Sequence, residues 1–267
     1  MERQKYGSAW RNKISTASAL VSALLLVASP TFAQTALGSC TSAPITITSP
    51  GSYILKHNLS PSSSGSDCID VSVSNVSIDL NGFGMRAAKS GVMVGINATV
   101  GGEQTNISVS NGYVIGMTGA GVLLGAGSVE GVLADTNGAD GIHCTENCVI
   151  SGDTANSNTD SGIQVDGSHS LIENNMANLN GVGINAGGQY NLIKGNTASG
   201  NTTNGINCGS GCEVSGNVAD DNTDVGLSLT ASTSGYTENV LTGNGTQVSG
   251  GTSMGAGNTN LCNGSAC

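Results

Sequence analysis

Residues 161–180 read SGIQVDGSHSLIENNMANLN, and residues 182–201 read VGINAGGQYNLIKGNTASGN. In both stretches a Gly-Ile pair begins a segment in which apolar and polar residues alternate over three to five positions. This alternation is the period of a β-strand and not of an α-helix. Each stretch therefore predicts short strands joined by polar turns.

The same pattern recurs along most of the chain. A Gly followed by an aliphatic residue returns at intervals of 20, 21, 21, 22 and 21 residues, at Gly121, Gly141, Gly162, Gly183, Gly205 and Gly226. Two further columns keep this period: Asn137, Asn158, Asn180, Asn201, Asn222, Asn244, and Asp153, Asn175, Asn196, Asn217, Asn239. Short strands stacked at 20–22 residues per coil predict an all-β fold, a parallel β-solenoid. We expect the asparagines to adopt the left-handed conformation at the turns and to form a hydrogen-bonded ladder between coils.

The composition supports a folded chain with an aliphatic core. Only 10% of the 267 residues are charged and 37% are apolar, unlike a disordered segment. Aromatic residues make up only 3% of the chain, so the core must consist of Val, Ile, Leu and Ala.

The N-terminus predicts export. Four basic residues within the first 13 positions precede an apolar run over residues 17–28, and Thr31-Phe32-Ala33 ends in a small residue. This is the pattern of a secretory signal peptide, which we place at residues 1–33 with cleavage after Ala33. A run of 12 residues is too short to span a bilayer. The sequence therefore predicts a secreted or periplasmic protein with no membrane span in the mature chain.

The mature chain is strongly acidic. It keeps 17 acidic residues against Lys56, Arg86, Lys89 and Lys194, which gives a net charge of 4 − 17 = −13. Nucleic acids and anionic membranes are bound through basic patches. Both are therefore excluded as partners.

Eight cysteines in an exported chain predict disulfides. Their spacing favours four bridges: Cys40–Cys68, Cys144–Cys148, Cys208–Cys212 and Cys262–Cys267. A zinc site is the first alternative, but the Cys-x3-Cys spacing differs from the usual zinc knuckle. Lipidation of Cys40, which follows Leu37-Gly38-Ser39, is the second alternative, and it would leave Cys68 without a partner.

The repeated motifs Gly-Ile-x-Val and Ile-x-x-Asn over residues 68–244 resemble those of right-handed parallel β-helix proteins with the pectate-lyase-like superfold. Residues 49–55, SPGSYIL, and 74–83, SNVSIDLNGF, are similar to the first coils of many secreted bacterial members. The resemblance implies a single-stranded right-handed β-helix over residues 67–247. Residues 34–66 would form an N-terminal cap with the first strands, and residues 248–267 a Gly/Ser-rich tail. The superfold carries many activities, so no single function follows.

One outward column is a candidate ligand-binding face. It contains neutral hydrogen-bonding side chains at successive coils, at Asn97, His143, Gln164, Asn185, Asn207 and Ser228, interrupted by Leu123. Such groups can bind the hydroxyls of a polysaccharide or cell-envelope glycan, although an ordinary solvated face would have the same composition. We select His143, Gln164, Asn185 and Asn207 as the ligand-binding candidates.

Catalytic residues are harder to find. A lyase would need clustered carboxylates beside a basic residue, and no Asp cluster accompanies Arg86. Asn-Thr-Asp at residues 158–160 and 222–224 resembles one element of the pectin hydrolases, but the order, the spacing and the basic motif differ. Asp153, Asp160 and Asp166 are the weak catalytic candidates. These three, with Asp135, Asp140 and Glu146, also leave Ca²⁺ binding between turns as an open alternative to a protein without a cofactor.

The sequence thus predicts an exported β-helix scaffold without catalytic activity that binds polysaccharide along its polar face. Two alternatives stay open. One is a divergent polysaccharide hydrolase or lyase, and the other is an adhesin or surface structural protein.

Overall fold

The structure, a computed structural model, describes residues 33–61, 65–87, 91–255 and 259–267. The predicted signal peptide, apart from Ala33, and Lys89 lie outside these residues. No helix in the described part of the chain is long and apolar enough to cross a membrane. The strands are β1 Thr35–Ala36, β2 Ile45–Ile47, β3 Gly51–Ile54, β4 Ile69–Val71, β5 Val76–Asp79, β6 Gly84–Arg86, β7 Ile96–Ala98, β8 Ile107–Ile115, β9 Val122–Leu124, β10 Gly127–Asp135, β11 Ile142–Cys144, β12 Val149–Ser151, β13 Thr154–Asn156, β14 Ser161–Val165, β15 Leu171–Glu173, β16 Val182–Ala186, β17 Leu192–Lys194, β18 Thr197–Ser199, β19 Ile206–Cys208, β20 Glu213–Ser215, β21 Val218–Asp220, β22 Val225–Leu229, β23 Gly235–Thr237, β24 Val240–Thr242, β25 Thr246–Ser249, β26 Thr252–Ser253, β27 Leu261–Cys262 and β28 Ser265–Ala266.

The strands form three sheets whose pairs are all parallel except the last pair of sheet 3, β27 with β28, which is antiparallel. Sheet 1 has the order β1-β3-β5-β8-β10-β12-β15-β17-β20-β23-β26, with β6 paired to β8 and β13 to β10. Sheet 2 has the order β2-β4-β7-β9-β11-β14-β16-β19-β22-β25, and sheet 3 has the order β18-β21-β24-β27-β28. The chain visits the sheets in turn, as β16, β17 and β18 do, and then returns one rung higher in sheet 2 at β19. The predicted all-β parallel β-helix is therefore confirmed.

The core is built from columns of equivalent aliphatic residues. Ile163 pairs with Ile142 on one side and Ile184 on the other, and all three are fully buried. Glycine is required beside this column at Gly162, where a Cβ would lie 2.6 Å from the Nδ2 of Asn180. The glycine of the Gly-Ile motif is therefore needed because the strand backbone passes close to a buried asparagine side chain.

The asparagines form two buried ladders. Asn201 is typical: its Oδ1 accepts the backbone N–H of Asn180 at 2.9 Å, and its Nδ2 donates to the Ala177 carbonyl at 3.1 Å and to Asn222 Oδ1 at 2.8 Å. Asn196 and Asn217 are linked in the same way in the second ladder. Each ladder side chain thus satisfies backbone groups of the neighbouring coils.

One detail of the predicted ladder is wrong. None of the ladder asparagines that the structure describes is left-handed. The residue before each of them is, as at Leu179, Gly200 and Asp221, with φ of 59°, 64° and 52°. The asparagine side chain must point inward to reach the next coil. The left-handed residue at each turn is therefore the one that precedes the asparagine.

The eight cysteines pair as the spacing predicts. Cys144–Cys148 and Cys208–Cys212 each close the turn between a sheet 2 strand and the following sheet 1 strand. Strands within the predicted cap and tail also join the sheets, since β1 pairs with β3 and β27 with β24.

Candidate functional site

The outer face of sheet 2 carries the polar column selected from the sequence. Successive rungs pair His143 with Gln164, Gln164 with Asn185, and Asn185 with Asn207. All four side chains are half-buried. We call these four residues, together with Asp140 and Asp166, the sheet 2 column.

A continuous chain of hydrogen bonds links the amides of this column. Asn207 donates to Asn185 Oδ1 at 3.4 Å, Asn185 donates to Gln164 Oε1 at 2.8 Å, and Gln164 donates to Asp166 Oδ1 at 2.6 Å. Asn204 extends the chain by donating to Asn207 Oδ1 at 2.8 Å. Every amide therefore points its NH₂ group towards Asp166, and aligned hydrogen bonds of this kind polarise one another.

His143 contacts the carboxylates at the end of this row of hydrogen bonds. Its Nε2 lies 2.9 Å from Asp166 Oδ2, and its Nδ1 lies 3.1 Å from Asp140 Oδ2. Burial opposes the charged ring, but the hydrogen bonds and charges of the two aspartates outweigh it and raise the pKa of His143. Burial likewise acts to raise the pKa of Asp166, yet the hydrogen bonds from Gln164 and His143 lower it. The two carboxylates are therefore held by internal partners, while each amide keeps a second N–H for a ligand.

Sequence reasoning missed an acidic pair at the N-terminal end of the same face. Asp70 pairs with Asn97 in the register of sheet 2, and Asn97 donates to Asp67 Oδ2 at 2.7 Å. Burial, followed by the charge of Asp67, raises the pKa of Asp70 to about 6. The sequence does contain a signal for Asp70: Ile69-Asp70-Val71 has the same alternation of apolar and polar residues as the Gly-Ile coils, which places Asp70 on the outer face.

The three carboxylates chosen as weak catalytic candidates are not brought together at one site. Asp153 is only 1% exposed inside the coil, where it takes a ladder position, whereas Asp160 is exposed. Asp166 belongs to the sheet 2 column. Among the described residues, no group of three or more His, Cys, Asp or Glu side chains is arranged to hold a metal ion. The Ca²⁺ alternative therefore gains no support from the fold.

The comparisons with known proteins give one family match and matches to solved structures. A family model described as "Periplasmic copper-binding protein (NosD)" matches residues 69–262. A search of curated proteins gives no match. Among solved structures, the A-module of the Azotobacter vinelandii mannuronan C-5 epimerase AlgE4 superposes with a TM-score of 0.55 at 17% identity, covering 79% of this chain and 68% of that one. The periplasmic alginate epimerase AlgG gives a TM-score of 0.44 at 16% identity, over 78% and 65% of the two chains.

The described cysteine and histidine side chains do not form a copper site. Protein copper is bound mainly by His, Cys and Met side chains. Every cysteine is in a disulfide. His143 has both ring nitrogens against carboxylates, His169 stacks on Tyr190, and the Nδ1 of His57 contacts the Asn58 carbonyl. These cysteine and histidine side chains therefore offer no site for copper.

We expect the purified, oxidised chain to retain only substoichiometric copper after equilibrium dialysis against excess Cu²⁺, as measured by elemental analysis. Reduction of the disulfides is the positive control, because it frees thiolates that bind copper. One tightly held copper per oxidised chain, lost on His143→Ala, would contradict this assignment.

Proposed function

The chain belongs to the NosD family, described as periplasmic copper-binding proteins, and we propose that it acts outside the cytoplasm as a non-catalytic β-helix scaffold that binds an uncharged polysaccharide along the sheet 2 column. The observation that supports this proposal is the hydrogen-bonded row of Gln164, Asn185 and Asn207. The stacking of the coils repeats an amide at each rung, about every 4.8 Å. A row of fixed amides at this spacing suits a polymer with a hydroxyl-rich edge.

The charge of the face selects against acidic polymers. Asp67, Asp70, Asp140 and Asp166 lie along it, and His143 is the one basic side chain among the column residues. A polyuronate such as mannuronan, on which AlgE4 acts by its title, would meet these carboxylates, and none of the column residues is a lysine or arginine that could pair with its own carboxylates. The proposed ligand is therefore neutral.

The test is a triple variant, Gln164→Ala, Asn185→Ala and Asn207→Ala, measured by co-sedimentation with a panel of insoluble neutral polysaccharides. We expect binding to weaken at least about tenfold, because three amide contacts of roughly 0.5–1.5 kcal/mol each are lost. Unsaturated products and new reducing ends are followed in the same samples, and we expect neither.

A matched control removes three polar side chains from other sheets, through Thr197→Ala, Ser199→Ala and Ser215→Ala. This control should bind as the parent chain does. If both triple variants bind equally well, or if the parent chain binds no neutral glycan, the sheet 2 column is not a binding face and an adhesive or structural role becomes the better account.

A further inference from the structure

A separate cavity of about 470 Å³ opens at the corner where sheet 1 ends, away from the sheet 2 column. The corner residues of four successive coils are Asn111, Gly131, Gly152 and Asn174, all left-handed with φ of 60°, 64°, 67° and 57°. Because Gly131 and Gly152 have no side chain, the cavity opens between the side chains of Asn111 and Asn174. A Cβ added at Gly152 would meet nothing within 4 Å.

The walls of the cavity carry two carboxylates. Glu130 pairs with Ser151 in the sheet 1 register, and Ser151 pairs with Glu173 on the next rung. Glu130 and Glu173 are therefore two rungs apart, about 10 Å between their backbones, and both line the cavity with Ser151 between them. The volume lies in the usual range of small-ligand sites.

The two carboxylates differ in their partners. Lys194 Nζ lies 3.0 Å from Glu173 Oε2 and holds that side chain in an ion pair. In the described coils, no lysine, arginine or histidine lies within ion-pair distance of Glu130. Glu130 therefore offers an unpaired negative charge beside the amides of Asn111 and Asn174 and the hydroxyl of Ser151.

We propose that this cavity binds a sugar residue that carries a free amino group, with the ammonium against Glu130 and the hydroxyls against Asn111, Ser151 and Asn174. An ammonium–carboxylate hydrogen bond is roughly twice as strong as a neutral one. The site should therefore distinguish an amino sugar from its uncharged N-acetylated counterpart. It shares no residue with the sheet 2 column, so either proposal can fail alone.

The test is calorimetric titration with the β-1,4-linked tetrasaccharide of glucosamine and with its fully N-acetylated form, at about pH 6, where most of the free amines carry a proton. We expect the free-amine tetramer to bind at least about tenfold more tightly, because only it forms the charge-assisted contact. Glu130→Gln should reduce this preference to within about twofold.

Two further variants separate the site from general attraction to an acidic protein. Glu213→Gln removes one negative charge from an exposed sheet 1 position outside the cavity, and it should keep the full preference. Gly152→Asn fills the gap with a residue that its neighbours show to be compatible with a left-handed corner, and it should weaken both tetramers about tenfold or more, since filling the cavity removes the contacts of either ligand. Equal binding of the two tetramers, no binding, or a preference that survives Glu130→Gln or falls equally in Glu213→Gln would overturn the assignment.

Discussion

Asp153→Asn is expected to stabilise the protein by about 2–4 kcal/mol at pH 8 and to have little effect near pH 4. Asp153 occupies the ladder position that is Asn in the following coils, at Asn175, Asn196 and Asn217. Its Oδ1 accepts the Val132 N–H at 2.7 Å, but its buried Oδ2 has no hydrogen-bond partner. An asparagine has an NH₂ group at that point, and a carboxylate has no proton to donate.

The pH dependence of stability follows from the direction of the pKa shift of Asp153. Burial, with a smaller contribution from the charge of Glu130, raises the pKa of Asp153 to about 7, against 3.8 for an unperturbed aspartate. Between these two values the folded chain binds a proton that the unfolded chain has lost, so the free energy of unfolding falls as pH rises. A difference of about three pKa units corresponds to a loss of roughly 4 kcal/mol, complete just above pH 7. Asp153→Asn removes this loss because its amide stays neutral at every pH.

Urea unfolding from pH 4 to pH 8 measures the effect. The control is Asp160→Asn, which neutralises an exposed carboxylate of the same coil and should change stability by no more than about 0.5 kcal/mol. Parallel pH profiles for the parent chain and Asp153→Asn would show that Asp153 is ionised throughout and that its place in the ladder has been misread.

Asn201→Ala is expected to reduce the free energy of unfolding by about 3–4 kcal/mol, because a buried polar group left without its partner costs roughly 1–3 kcal/mol. The Asn201 side chain is fully buried and satisfies groups on both sides. Without it, the Asn180 N–H, the Ala177 carbonyl and Asn222 Oδ1 each lose a partner. Water cannot easily replace these bonds in a closed coil.

Thr202→Ala is the matched control for Asn201→Ala. Thr202 is the next residue and is exposed, and its hydroxyl makes only one long contact of 3.5 Å, to the Gly181 carbonyl. We expect a change within about 0.5 kcal/mol for this variant. Similar losses for the two variants in denaturant unfolding would mean that the ladder contributes no more than an ordinary turn.

The fold was predictable because, in a solenoid, residues that lie one period apart in the sequence become neighbours on adjacent coils. Once Gly162 and Gly183 are known to be equivalent, the pairing of Gln164 with Asn185 follows by counting, and the structure has that register. The pairing of Cys144 with Cys148 follows in the same way from its place in a turn.

The remaining features depend on corner geometry, which the period does not specify. Asp166 lies two residues after Gln164 and so on the same face, but the period does not specify that its carboxylate contacts the His143 ring on the preceding rung. The cavity beside Glu130 exists because Gly131 and Gly152 lack the side chain that Asn111 and Asn174 carry. Asp153 was assigned to the correct column from the sequence. The period alone does not show that the carboxylate at this ladder position is buried, which the structure adds.

In the proposed function, the amides of the sheet 2 column contact a neutral glycan. The most direct measurement follows the side-chain amide resonances of Gln164, Asn185 and Asn207 by nuclear magnetic resonance while soluble neutral oligosaccharides are added. We expect these three NH₂ signals to shift together and saturably, while the signals of the buried ladder amides of Asn196 and Asn217 do not shift. Saturable binding that leaves the three column signals unmoved would contradict it.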